Sequence, residues 1–160
     1  MIDISKYNFL NFEQFSKDIF SYFKDNSKLY DLNPNQIVGH NNERPAGGLI
    51  IDIYLSDYTP EQGEQPSPFF LDEANITIEL VLLGVGKSTA DKSYYTLTDR
   101  TARLALVASK IDNYLCEKGY DTHITQVKTF QAVQDAIKAS DILNNACSIT
   151  LLVKLFSEIQ

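Results

Sequence analysis

Apolar residues along the chain change their spacing several times, and each change marks an element. Phe12, Phe15, Ile19, Tyr22 and Phe23 recur on one face of a helix, with Glu13, Lys17, Asp18 and Lys24 mostly off that stripe. Asn11 and Gln14 have the spacing of a capping box, and Leu10 and Phe15 that of a hydrophobic staple, so the spacing predicts a helix over 11–26. Residues 31–48 follow with Pro34, Gly39, Pro45, Gly47 and Gly48, a turn-rich connection in which only Gln36, Ile37 and Val38 suit a short strand.

The period then becomes two. Leu49, Ile51, Ile53 and Leu55 alternate with Ile50, Asp52, Tyr54 and Ser56, and Ile76, Ile78, Leu80 and Leu82 alternate with Thr77, Glu79, Val81 and Leu83. Residues 56–72, with Pro60, Gly63, Pro66 and Pro68, separate these two strands as a long polar loop. A second polar loop is expected over 84–95, ending in Tyr94 and Tyr95. Leu104, Val107, Ala108, Ile111, Tyr114 and Leu115 then predict a helix over 98–118, capped by Thr98 or Asp99 and stopped by Gly119. Alternation returns over 122–130 and 147–156, and Val133, Ala136 and Ile137 suggest a short helix over 131–139 between them. The expected architecture is a single α+β domain over 1–160, with a mixed or antiparallel sheet of about four strands and two main helices on one face.

Composition supports a globular chain: 160 residues, 44% hydrophobic and 22% charged. The net charge of −7 disfavours non-specific binding to nucleic acid or to an anionic membrane. All of it lies in the first half, where residues 1–75 hold 12 acids and 5 bases. Between Arg44 and Lys87 there is no base, while Asp52, Asp57, Glu61, Glu64, Asp72, Glu73 and Glu79 fall in that interval. Such a segment reads as a solvated loop or as an acidic contact surface. The start of the sequence has no signal-peptide pattern, and the most apolar stretch, 76–85, is too short to span a bilayer, so a cytoplasmic, soluble protein is expected.

Candidate chemistry is sparse. Cys116 and Cys147 have no metal-ligand or redox spacing and are expected to be buried as small hydrophobes, and His40 and His123 do not suggest a zinc site. Gly84, Gly86, Lys87 and Ser88 resemble a fragment of a phosphate-binding loop, but Val81 stands where the first glycine of that pattern belongs. No G-x-S-x-G motif is present. Asp52 interrupts an apolar run, and a paired-carboxylate metal site would need Glu79 opposite it, which sequence does not fix. No catalytic, cofactor-binding or metal-ligating residue is therefore assigned.

The order of elements resembles that of phage tail-terminator and neck proteins, including the terminators of contractile-tailed, Mu-like phages. The features shared are the amphipathic helix over 11–26, the strands over 49–55 and 76–83, the helix containing Arg103, Leu104, Ala105, Leu106, Val107 and Ala108, and a final strand pair joined through 131–145. The resemblance implies a non-enzymatic, homo-oligomeric ring, often of six subunits. Such a ring caps the tail tube or sheath and meets the connector, first in the cytoplasm of a bacterial host and then in the virion. The two long loops would make its contacts, with Asp57, Glu61, Glu64, Asp72, Lys87, Tyr94 and Tyr95 as candidate interface residues. Two other classes stay open: a small metal-dependent hydrolase or nuclease using Asp52 and Glu79, and a monomeric acidic binding or immunity-type module.

Overall fold

A computed structural model describes residues 5, 7–39, 48–58, 73–83, 91–133 and 143–158. Strand β1 (Tyr7–Phe9) leads into helix α1 (Phe12–Asp25), where Asn11 Oδ1 accepts from the Gln14 amide at 3.1 Å. The reciprocal half of the capping box is not made. Gln14 instead donates through Nε2 to Asp18 Oδ1 at 3.0 Å, one turn along the helix. Phe15, Ile19, Tyr22 and Phe23 are buried as the periodicity requires, whereas Phe12, at the N-terminal edge of that stripe, is 46% exposed.

Two short 3-10 turns, Ser27–Tyr30 and Pro34–Gln36, carry the chain to β2 (Ile37–Gly39). The first turn is tied down by buried groups. Tyr30 donates its hydroxyl to the Phe23 carbonyl, and Arg100 donates through Nε to the Tyr30 carbonyl at 3.2 Å. Burial lowers the pKa of Arg100, with Asp31 opposing the shift.

The remaining strands are β3 (Leu49–Tyr58), β4 (Glu73–Leu82), β5 (Thr122–Val133), β6 (Leu143–Lys154) and β7 (Phe156–Glu158). They form a five-stranded sheet in the order β2-β3-β4-β6-β5, and β1 pairs with β7 in a separate two-stranded sheet. β2 runs parallel to β3 and all other neighbours are antiparallel, so the sheet is mixed and the class is α+β. Central register brings Ile53 opposite Ile78 and Ile78 opposite Ile149, and brings Leu80 opposite Ile51 and Cys147. These positions face α1 and two further helices, α2 (Asp91–Ala108) and α3 (Ile111–Glu117), through Phe15, Ile19, Phe23, Leu104, Val107, Ile111 and Leu115. Each such buried aliphatic or aromatic side chain contributes about 1.5–3 kcal/mol by leaving water.

Three expectations are corrected. The helix expected over 98–118 is two helices separated at Ser109 and Lys110, where Ser109 Oγ donates to the Leu106 carbonyl at 2.7 Å and the Lys110 amide to Val107 at 3.1 Å. The first of them starts at Asp91, seven residues before the expected cap, because its opening turns precede the apolar stripe that begins at Leu97. Thr98 and Asp99 therefore lie inside α2, and Asp99 pairs with Arg103 at 2.6 Å. Residues 131–133 continue β5 and pair with β6 instead of starting a helix, and β6 itself begins at Leu143. The rest of that expected helix, 134–139, lies outside the described residues.

The Gly119 stop holds. At φ 95° it donates to the Cys116 carbonyl at 3.0 Å while the Tyr120 amide donates to Leu115 at 3.1 Å, the two bonds of a Schellman ending. Tyr120 then donates its hydroxyl to Asp18 Oδ2 at 2.5 Å and fixes this turn to α1.

Candidate functional site

Alternation places a second set of side chains on the sheet face turned away from the helices. In register across it run Asp52 on β3, Glu79 on β4, Ser148 on β6 and Lys128 on β5. The next row is Tyr54, Thr77, Thr150 and Gln126. The two carboxylates that the sequence left unplaced are thus direct cross-strand partners. Tyr54 donates its hydroxyl to Glu79 Oε2 at a long 3.4 Å. Its pKa is raised, first by burial and then by the charge and hydrogen bond of Glu79, with Asp52 adding to the shift and Thr77 opposing it.

Two opposed carboxylates can offer oxygen ligands to a hard cation. Among the described residues, no third His, Cys, Asp or Glu joins them to form a group able to hold a metal ion. As they stand, Asp52 and Glu79 are a like-charge pair that costs stability.

The other sequence candidates are dispersed. Asp57 sits near the end of β3 after a register shift at Ser56 and pairs with Asn75, and Tyr94 and Tyr95 lie early in α2 instead of in a loop. Glu61, Glu64, Asp72 and Lys87 lie outside the described residues, as do His40 and the glycine-lysine fragment at 84–89. His123 is exposed on β5, opposite Leu152. Cys147 is fully buried, and burial pushes its thiol up to about 11. Cys116, expected to be buried, is exposed on α3 with its sulfur 3.9 Å from Asp112 Oδ1, because its helix position lies off the Ile111–Leu115 stripe.

A second feature was not anticipated from the sequence. Between α1 and β2 lies an open groove of about 620 Å³, lined by Glu13, Lys17, Phe20, Lys24, Ile37 and Val38 among others. Lys17 pairs with Glu13 at 3.1 Å, and Lys24 has no ion pair among the described residues. The floor is formed by β2, an edge strand that pairs only with β3 among the described residues. The sequence signal was Phe20, an aromatic side chain off the buried stripe and bracketed by lysines at 17 and 24.

Among the described residues, no helix is long and apolar enough to cross a membrane. Compared with known proteins, the chain matches no family model and no curated protein sequence.

Proposed function

We propose that this chain is a structural assembly subunit of a phage or prophage tail, of the tail-terminator or head-to-tail joining kind. In this reading it acts without catalysis, by forming a homo-oligomeric ring that contacts tail-tube, sheath or connector proteins, in the cytoplasm of a bacterial host and then in the virion. The observation that carries the reading is the edge strand β2, which among the described residues pairs with β3 alone and carries neither a bulge nor a charge, as suits a strand that meets another chain.

Sedimentation and negative-stain images of the purified chain at micromolar concentration test the reading. Rings, alone or on addition of tail-tube protein, are the expected result, and a strict monomer under both conditions overturns it.

One observation favours a second reading. The Asp52–Glu79 register is what a small metal-dependent hydrolase or nuclease would need for the first two of its ligands. Calorimetry with magnesium or manganese decides this: no binding, or binding unchanged by Asp52→Ala, removes it.

A further inference from the structure

The groove beside α1 combines three properties that suit an extended peptide better than a compact small molecule. It is open, its floor is an edge strand, and its wall is one side of a helix, from Glu13 through Lys17 and Phe20 to Lys24. Strand edges beside a helix accept extended chains through backbone pairing, with side chains taken up in the flanking pockets. The apolar contacts on offer are Phe20 and Val38, both partly exposed, while Ile37 is buried in the core beneath them, and the charges are Lys24 and the Lys17–Glu13 pair.

The chain itself contains a segment of the complementary kind. Residues 59–72 carry Glu61, Glu64 and Asp72 with no base, and Phe69, Phe70 and Leu71 form an apolar run next to Asp72. This segment leaves β3 at Tyr58 and returns to β4 at Glu73, and Tyr58 is paired with Ala74, so its two ends lie together. β2 is at the opposite end of β3, aligned with Leu49, Ile50 and Ile51. From Ile51 to Tyr58 the strand covers about 23 Å. A segment of this length with its ends together reaches at most about 24 Å, fully taut. It could then touch only the nearest end of β2 and could not lie along the groove, which follows α1 for about 16 Å.

From this geometry we infer that the groove between α1 and β2 receives the acidic segment 59–72 of a second copy of the chain. In this contact the apolar run Phe69, Phe70 and Leu71 meets Phe20 and Val38, and the carboxylates meet Lys17 and Lys24. Donor segment and acceptor groove sit at opposite ends of the β3–β4 pair, so the contact is head to tail, and repetition with a closing rotation gives a ring. The inference rests on the ring reading for its occupant and names the surfaces that would build the ring.

The direct experiment is fluorescence anisotropy with a labelled synthetic peptide of residues 59–73 held at nanomolar concentration and titrated with the full chain. Saturable binding is expected. It should weaken about tenfold or more in Lys17→Glu/Lys24→Glu, and less than about twofold in Lys110→Glu/Lys118→Glu, which changes net charge equally on exposed positions elsewhere. No binding, or equal loss in both double variants, overturns the assignment.

Sedimentation at micromolar concentration separates the two levels of the reading. Oligomers lost in Lys17→Glu/Lys24→Glu and regained when Glu61→Lys/Glu64→Lys is added in the same chain support the groove contact. Oligomers that persist in Lys17→Glu/Lys24→Glu overturn it and leave the ring to another surface. A wild-type chain that is monomeric even beside tail-tube protein removes the ring and with it the second-copy occupant. The source of the segment is read by oxidising a mixture of two chains, Lys24→Cys in one and Glu64→Cys in the other, both carrying Cys116→Ser. A covalent heterodimer is expected, and bridging confined to single chains carrying both substitutions overturns the second-copy assignment.

Discussion

Replacing Asp52 by lysine converts a like-charge pair into an opposite-charge pair without touching the core face of the sheet. Asp52 and Glu79 are direct partners across β3 and β4 and both are partly exposed. Directly opposed residues have Cβ atoms about 5 Å apart. With the charges about 6 Å apart, and an effective dielectric between that of a protein surface and that of water, the repulsion is about 1 kcal/mol. Asp52→Lys removes it and adds an attraction, offset in part by the entropy of fixing a long side chain. Lys128 is three strands from Asp52, about 14 Å away, too far to cancel the gain at ordinary salt. The expected net gain is about 1 kcal/mol, a rise in Tm of about 2–4 °C for a chain of this size.

Scanning calorimetry at pH 7 with a chelator present measures this gain. The gain should fall by more than half in 1 M salt, where the screening length is about 3 Å. Asp52→Asn removes the repulsion alone and should also give about 1 kcal/mol, close to the net gain of Asp52→Lys. A destabilised Asp52→Lys, or a gain indifferent to salt, refutes the electrostatic account of the pair. Manganese provides the contrasting result: a saturable rise in wild-type Tm that is absent from both variants would identify the carboxylates as ligands and favour the hydrolase reading.

Ile78 is fully buried between Ile53 and Ile149, so Ile78→Ala should cost about 2–5 kcal/mol, read from the midpoint of urea unfolding at unchanged slope. Asn11→Ala removes the cap on the Gln14 amide and should cost about 1 kcal/mol in the same assay. In the native chain a thiol reagent should modify Cys116 rapidly and Cys147 only on unfolding, so rapid reaction of both would refute the packing of β6. Burial raises Cys147 from about 9 to about 11 and Tyr22 from about 10 to about 12. Both groups hold their protons more tightly when folded, so their stabilisation is complete below pH 9 and is lost as pH rises through 9–12, which urea midpoints across that range check.

The elements legible in the sequence were those whose periodicity is uninterrupted. α1 shows its stripe over its whole length, and β3 and β4 alternate almost without exception, so their positions follow from local spacing. α2 was misplaced because its opening turns, with Lys92, Ser93, Tyr94 and Tyr95, precede the apolar stripe that begins at Leu97. The break at Ser109 and Lys110 was hidden for the opposite reason: Val107, Ala108, Ile111 and Leu115 keep helical spacing across it. Pairing is not a local property. Nothing near Asp52 in sequence fixes Glu79 opposite it, and the groove requires Phe20 and Val38, eighteen residues apart, to line one wall and one floor.

The two open edges of the sheet are not equally suited to joining copies. β5 carries a register shift at Thr125, whose hydroxyl donates to the Thr150 carbonyl at 3.2 Å, and Lys128 lies a few residues on. A bulge and a lysine are the usual means by which an edge avoids adding strands. β2 is short, carries no charge and has neither device, and it is flanked by Lys17 and Lys24, two of the five bases in the first 75 residues. The twelve acids that outnumber those bases include six of the seven in the base-free interval, so the proposed contact sets an acidic donor region against a basic acceptor region. Between whole copies the excess charge repels at long range, while lysine against carboxylate attracts at contact. Salt screens the long-range term first, since the screening length is already about 8 Å near physiological ionic strength and about 3 Å at 1 M. Association measured by sedimentation should therefore strengthen from 10 mM to about 150 mM salt and weaken toward 1 M. Monotonic strengthening would indicate an interface held by apolar contact alone, and monotonic weakening one in which the overall repulsion is negligible.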